Sequence, residues 1–263
     1  MNTVQRAKAF LKQEFPSIWL QWHFARRPKS AERELQYLEK IVPRGALTVD
    51  VGANLGLYTQ RLARLSKQVY AFEPSQDMAH FLRRTSASNV TVHEIALSDE
   101  NGEGELLIPQ DESGSVHGLA SLEPQIDASG RSLASLNVRT ARLDTIVDID
   151  VAFVKIDVEG HELNVLNGAN SLIDRCQPVF LVEAEDRHRP EATRLVFDFF
   201  RERAYRGYFL KGRQIVPVDQ FKTDQLQNVT ALMLNGGRLD GRSYVNNFFF
   251  FPHHLDGQFI LSS

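Results

Sequence analysis

The chain has 263 residues, 43% hydrophobic and 24% charged, enough for one large domain with a buried core or for one domain with an appendage. Thirty Lys and Arg against 33 Asp and Glu leave a formal charge of −3, which excludes a general polyanion binder and a disordered acidic chain. The single cysteine, Cys176, excludes an internal disulfide and a Cys-based zinc cluster, and no apolar run reaches the roughly 20 residues of a membrane helix. The first residues, MNTVQRAKAFLKQEF, lack the continuous apolar core of a signal peptide, so the expected setting is the cytoplasm.

Residues 1–30 carry Arg6, Lys8, Lys12, Arg26, Arg27 and Lys29 against Glu14 alone. Two readings stand: a basic arm over an anionic substrate or membrane surface, with Trp19, Trp22 and Phe24 as apolar contacts, or an ordinary amphipathic helix broken near Pro16. Residues 1–44 are expected to be a helical extension, and residues 45–263 one α/β domain.

A helix phased by Leu35, Leu38 and Ile41 leads through Pro43-Arg44-Gly45 into a strand at 47–51. A glycine-rich turn follows, then a helix with Tyr58, Leu62 and Leu65 on one face and a strand at 68–72. Met78, Phe81, Leu82 and Thr85 space a further helix, with Ser75 as its N-cap, before a strand at 90–95. Between about 100 and 143 the pattern lapses into short polar stretches punctuated by glycine, predicting an inserted flap with strands at 105–108 and 137–142 around a mobile loop at 110–135. The alternation resumes with a strand at 151–156, one helix through Leu163, Leu166 and Ile173, a strand at 179–182 and a helix through Leu195, Val196, Phe199 and Phe200. Strands are predicted at 208–210, 229–234 and 248–251, the four-Phe run reading as a strand buried on both faces. Strands alternating with helices predict a parallel sheet wrapped by helices.

Three strand ends carry the chemistry. Asp50-Val51-Gly52-Ala53-Asn54-Leu55-Gly56 stands where a strand turns into a helix, and its glycines let backbone amides approach a ligand. The spacing is not the G-x-G-x-x-G of a pyrophosphate site, and Asp50 would repel a diphosphate while suiting the ammonium end of an amino-acid-like ligand. Glu73 ends the next strand, 21 residues after Gly52, close to the spacing at which an acid accepts both hydroxyls of a ribose. Ala96, after the third strand, is a candidate adenine contact.

The third end, Lys155-Ile156-Asp157-Val158-Glu159-Gly160-His161-Glu162, puts four ionisable groups, from Asp157 to Glu162, at the edge where ligands of open α/β sheets bind. Asp157 or Glu159 could accept a substrate proton and His161 could serve as general base, while Glu162 in a first helical turn needs no chemistry at all. Asp157, Glu159 and His161 as a cation site lack a tight pair of donors, and no metal ligand is assigned. Glu183 and Glu185 end the next strand, where carboxylates could bind sugar hydroxyls or raise each other's pKa, the alternative being Glu185 with Arg187 or Arg189 as a plain surface ion pair. His253 and His254 have no positioned partner and are expected on the surface.

Together DVGANLGLYT at 50–59, FEP at 72–74 and KIDVEGHE at 155–162 resemble the FkbM family of S-adenosylmethionine-dependent methyltransferases. The resemblance implies a Rossmann-like class I methyltransferase fold, a seven-stranded, mostly parallel sheet in the order 3-2-1-4-5-7-6 with its last strand antiparallel. It implies S-adenosylmethionine as cofactor, with Asp50, Gly52, Asn54 and Gly56 around the methionine part and Tyr58 and Thr59 in the same segment. Glu73 then takes the ribose and Asp157 stands near the reactive end. It further implies methyl transfer to a hydroxyl, often of a glycan sugar or a secondary metabolite, with His161, Asp157 and Glu183 as candidate bases and no nucleic-acid partner. The rivals are an NAD-dependent sugar oxidoreductase and a non-catalytic adenosine- or glycan-binding module.

Overall fold

The computed structural model describes residues 10–26, 32–111, 114–123, 132–231 and 244–263. Of the basic arm, Arg6, Lys8, Arg27 and Lys29 lie outside the described residues. The two described cations fold back on their own segment: Lys12 Nζ lies 5.2 Å from the Trp19 ring centre and the Arg26 guanidinium 4.2 Å from that of Trp22. The helix Pro16–Ala25 begins at the proline, whose missing N–H costs nothing at a helix start, and rests on the helix Gln76–Thr85 through Trp19 edge-on against Phe81. Among the described residues no helix is long and apolar enough to cross a membrane.

Eight strands form the main sheet: β1 (Leu47–Val51), β2 (Gln68–Phe72), β3 (Val90–His93), β8 (Phe153–Ile156), β9 (Val179–Glu183), β10 (Tyr205–Lys211), β11 (Gln214–Pro217) and β12 (Asn247–Pro252). Their order across the sheet is β3-β2-β1-β8-β9-β12-β10-β11. Seven of them stand in the expected order, with β12 antiparallel to both neighbours, and β11 adds an eighth strand as a hairpin on β10. β1, β8 and β9 are buried on both faces because helices cover both faces. The Phe run of β12 is fully buried as predicted: Phe248 and Phe250 join the core cluster on one face, Phe249 and Phe251 that on the other.

The helices follow the predicted phases, with differences that have local causes. Leu35 falls in a 3-10 turn, Arg33–Tyr37, before the short helix Leu38–Ile41. The helix expected through 163–173 is two, Glu162–Asn167 and Asn170–Cys176, broken where Gly168 lies so close to the main chain of Ser98 that a Cβ would come within 2.0 Å of its carbonyl oxygen. Asp144 takes over at the break, accepting the amides of Ser171 and Leu172. Val229–Ala231 form a 3-10 turn rather than the predicted strand, and residues 232–234 lie outside the described residues. His253 and His254 are exposed, as expected.

The insertion is a second sheet, in the order β4-β7-β5-β6, built from β4 (Ala96–Leu97), β5 (Gly102–Asp111), β6 (Gly114–Ser115) and β7 (Leu133–Ala141). β5 and β7 pair from Gly102–Thr140 to Pro109–Leu133, well beyond the two short strands predicted. The stretch expected as a loop contains β6 and a 3-10 turn, His117–Leu119, while 112–113 and 124–131 lie outside the described residues.

Phe250 is 1% exposed and stacks on Phe200 with ring centres 3.9 Å apart. Phe250→Ala should cost about 3–5 kcal/mol, read as a lowered urea midpoint at unchanged slope.

Candidate functional site

A cavity of about 660 Å³ opens along the carboxyl edge of the main sheet, within the usual size of a small-ligand site. The ends of β1, β2, β8 and β9 contribute to it, and β12, running the other way, brings Asn246 and Asn247 to the same edge. The inserted sheet and its 3-10 turn supply the far wall, through Leu106 and residues 116–122.

At the β1 turn, the amides of Gly52 and Ala53 both donate to the Phe72 carbonyl. Gly52 has φ +77°, and a Cβ there would lie 1.8 Å from the Asp157 carbonyl oxygen, so only glycine lets the β1 and β8 turns meet. Asn54 is also left-handed, at φ 47°, and its amide donates to Glu73 Oε2 at 2.9 Å. The Ser75 amide donates to Glu73 Oε1 at 2.9 Å; Ser75 stands at the expected N-cap position of the helix Gln76–Thr85, but its hydroxyl reaches His117 at 3.3 Å and makes no capping bond. Burial pushes the Glu73 carboxyl up to about 7, against the pull of those two amides. Phe72, Ile95, Ala96, Leu97 and Leu106 make an apolar slot beside it.

Asp50 is buried, accepts the Thr59 hydroxyl at 2.5 Å, and is raised by burial to about 6. Gly56 and Thr59 are not part of the cavity wall: Gly56 starts the helix Leu57–Ala63 at φ +85°, and Thr59 holds Asp50 from behind. Tyr58 does line it and donates to Glu32 at 3.0 Å. Glu32 and Phe24 therefore bring the N-terminal region to the same cavity; Phe24 is among the apolar contacts expected of an arm over the substrate, whereas Glu32 carries no such signal.

Lys155 is a fully buried cation in an apolar strand. Its Nζ donates to Asn247 Oδ1 at 3.1 Å and to the Ile156 carbonyl at 3.2 Å, and lies 3.6 Å from Asp157 Oδ2. Burial alone would lower its pKa, but Asp157, Glu183, Glu32 and Asp50 together outweigh burial and raise it. Glu183 accepts from Asn246 at 2.5 Å and Asn247 at 3.1 Å, and burial, then its neighbour Asp157, push its carboxyl well above the ordinary range. Burial likewise raises Asp157, opposed by Lys155.

His161 reaches the cavity with both ring nitrogens engaged, Nε2 2.9 Å from the Ser98 hydroxyl and Nδ1 2.7 Å from Glu123. It ties the inserted segment to the sheet through both nitrogens. Glu185 and Arg187 are not a surface pair: Glu185 is 1% exposed, and Arg187 grips both its oxygens, at 2.5 and 2.9 Å, while the Tyr244 hydroxyl donates to it as well. Burial would raise Glu185, but these partners outweigh it and hold the carboxyl at about 2.

Because Asp50 is raised in the fold, it opposes folding above about pH 3.8, increasingly until about pH 6. Asp50→Asn should therefore stabilise the ligand-free protein more at pH 8 than at pH 5, by roughly 1 kcal/mol in the difference, measured by urea unfolding at the two pH values.

Comparison with known proteins agrees with the strand-end motifs. A stretch of 74 residues, 28% of this chain, is 38% identical to a protein of Pyrobaculum islandicum named "Probable ribosomal RNA small subunit methyltransferase A" and spans 29% of it. The chain thus matches less than a third of that relative's length. Among solved structures, methyltransferase FkbM from Methylobacillus flagellatus aligns at 15% identity and a TM-score of 0.47, over 93% of this chain and 60% of that one. An rRNA methylase from Streptococcus thermophilus aligns at 12% and 0.44, over 84% and 95%. The family model described as the methyltransferase FkbM domain matches residues 50–207, from the first cavity acid through β9 and into β10, and the chain belongs to that family.

Proposed function

We propose that the protein transfers a methyl group from S-adenosylmethionine to a hydroxyl of a sugar, in a glycan, a glycolipid or a secondary metabolite. The observation that carries this reading is one continuous cavity, running from Glu73 past Gly52 to Asp157 and Glu183, with acids along its length. The ribose sits at Glu73, the adenine in the slot of Ala96 and Leu97, and the methionine part between the Gly52 turn, Tyr58 and Asp50. A cationic sulfonium gains from this surplus of carboxylates, whereas a dinucleotide would set its phosphates against Asp50.

The reaction is an in-line displacement. The acceptor oxygen forms a bond to the methyl carbon as the carbon–sulfur bond breaks, its electron pair stays on sulfur, and the hydroxyl proton passes to a carboxylate. Alignment of oxygen, methyl and sulfur supplies most of the acceleration. Glu183 is the base, held by Asn246 and Asn247 and facing Asp157. Burial and Asp157 raise its pKa, and a sulfonium in the cavity would oppose that, favouring the ionised, proton-accepting form.

The acceptor end, lined by Glu159, Glu183, Glu185, Asn246 and Asn247, is rich in hydrogen-bond acceptors for a polyol and hostile to phosphates. That favours a sugar over the ribosomal RNA named for the Pyrobaculum relative. Labelled S-adenosylmethionine added with the protein to cell extract should mark a glycan, glycolipid or small-molecule fraction; label confined to RNA would overturn the acceptor.

Glu183→Gln should lower kcat by about 10²- to 10⁴-fold and flatten the acid limb of its pH profile, with S-adenosylhomocysteine affinity nearly unchanged. Glu73→Ala should weaken S-adenosylhomocysteine binding, read by calorimetry, and a thermal shift with NAD but none with S-adenosylhomocysteine would overturn the cofactor.

A further inference from the structure

The helix Pro16–Ala25, PSIWLQWHFA, carries neither an acid nor a Lys or Arg. Its inner side is apolar, as docking on the domain requires: Pro16 and Leu20 are buried, Trp19 packs edge-on against Phe81, and Phe24 reaches the cavity. A surface helix ordinarily turns polar residues to water. Here Ser17 and Gln21 face outward, but so do Ile18, 58% exposed, and Phe15 just before the helix, 50% exposed. Phe10, 61% exposed, joins them, its ring centre 6.4 Å from that of Phe15. One exposed apolar side chain needs no explanation, but three between residues 10 and 18 make a patch that does.

The charge around that patch is positive. Glu14 is the one acid of residues 1–30 against six Lys and Arg, in a chain whose total is −3, and from Phe15 to Ala31 the sequence has Arg26, Arg27 and Lys29 with no acid at all. Of the described cations, Lys12 Nζ lies 5.2 Å from the Trp19 ring centre and 5.5 Å from that of Phe81, and the Arg26 guanidinium 4.2 Å from that of Trp22. Arg84, on the helix beneath, donates to the Gln13 carbonyl at 2.8 Å. These partners are rings and a carbonyl rather than carboxylates, so the positive charge of the segment stays uncompensated. Lys and Arg held beside aromatic rings, with apolar side chains turned outward next to them, are the composition of a helix that lies in the boundary between water and lipid.

We propose that residues 10–26 dock on the surface of an anionic lipid bilayer. Phe10, Phe15 and Ile18 enter the acyl boundary, and Lys12, Arg26 and Arg84 stand beside them at the level of the headgroup phosphates. A second copy of the chain is the poorer occupant of this face, because it would set the same positive segment against itself. The helix that docks also lines the cavity through Phe24, so docking holds the cavity close to the bilayer and favours, among the proposed acceptors, a sugar carried on a lipid. That choice of acceptor rests on the proposed reaction; the docking does not.

The test is sedimentation of the whole chain with vesicles of phosphatidylcholine alone and of phosphatidylcholine with about one-third phosphatidylglycerol. Binding to the anionic vesicles should be at least ~10-fold stronger than to the neutral ones and should fall as salt is added. Phe15→Ser combined with Ile18→Ser should weaken it by at least ~10-fold. Phe15 stands at the N-cap of the helix, a position that favours serine, so the melting temperature of this variant should not drop. Phe259→Ser, which removes a 71% exposed side chain elsewhere on the molecule, should leave binding intact. Absence of binding, equal binding to the two vesicles, or binding that the double variant retains would overturn the proposal. So would a dimer seen by analytical ultracentrifugation without lipid and lost in the double variant, which would assign the face to a second copy. Neither cofactor nor methyl transfer enters the readout, so docking can fail while the reaction stands, and the reverse.

Discussion

The Lys155 ammonium is the constraint around which the cavity is organised. An ion taken wholly out of water is tolerable only when opposite charge and hydrogen bonds replace its hydration. Lys155 finds these in Asp157, Asn247 and the Ile156 carbonyl, with Asp50, Glu32 and Glu183 around it. Those acids arrive from β1, β8, β9 and the N-terminal region, so one buried cation ties together the ends of three adjacent strands and a segment from outside the family match. The match between β8 and β12 depends on it as well, because Asn247 bonds Lys155 with its oxygen and Glu183 with its nitrogen.

That cation does not neutralise its surroundings. Glu73, Asp50 and Glu162 are all raised by burial, to about 7, 6 and 7. Carboxyls held that far above their free values oppose folding near neutrality, and such a surplus is retained at sites where something else completes the charge. A cationic sulfonium in the cavity, which family membership supports, is one way of meeting it.

The sheet was legible in the sequence because its signals are local. β-branched and aromatic runs such as LTVDV and NFFFFP carry the strand pattern, and Gly52 and Glu73 sit where strands must end. Thr59 and Gly56 look like ligand residues in sequence yet support the site from behind: Gly56 precedes the helix, and successive helix residues point roughly 100° apart, so Tyr58 faces the cavity while Thr59 holds Asp50. For His161 the residue type suggests a base, and the partners of its nitrogens, Ser98 and Glu123, lie 63 and 38 residues away, beyond the reach of local patterning. Glu32 and Tyr244 belong to segments without a periodic or motif signal, and only tertiary folding brings them to the cavity. Lys155 was visible throughout as a charge inside an apolar strand; the partner that fixes it, Asn247, lies 92 residues away.

The placement of β12 has a consequence for how the molecule is made. β12 is the last strand in the chain but lies inside the sheet, between β9 and β10. Until it emerges from the ribosome, β9 and the β10–β11 hairpin each present an open edge, and the aromatic surfaces of Phe180, Phe200 and Phe209 lack their covering. The same late strand carries Asn247 to Lys155, so the cavity cannot assume its final charge arrangement before the sheet is closed. Synthesis from the amino end thus delays a competent site until the fold around it is nearly complete.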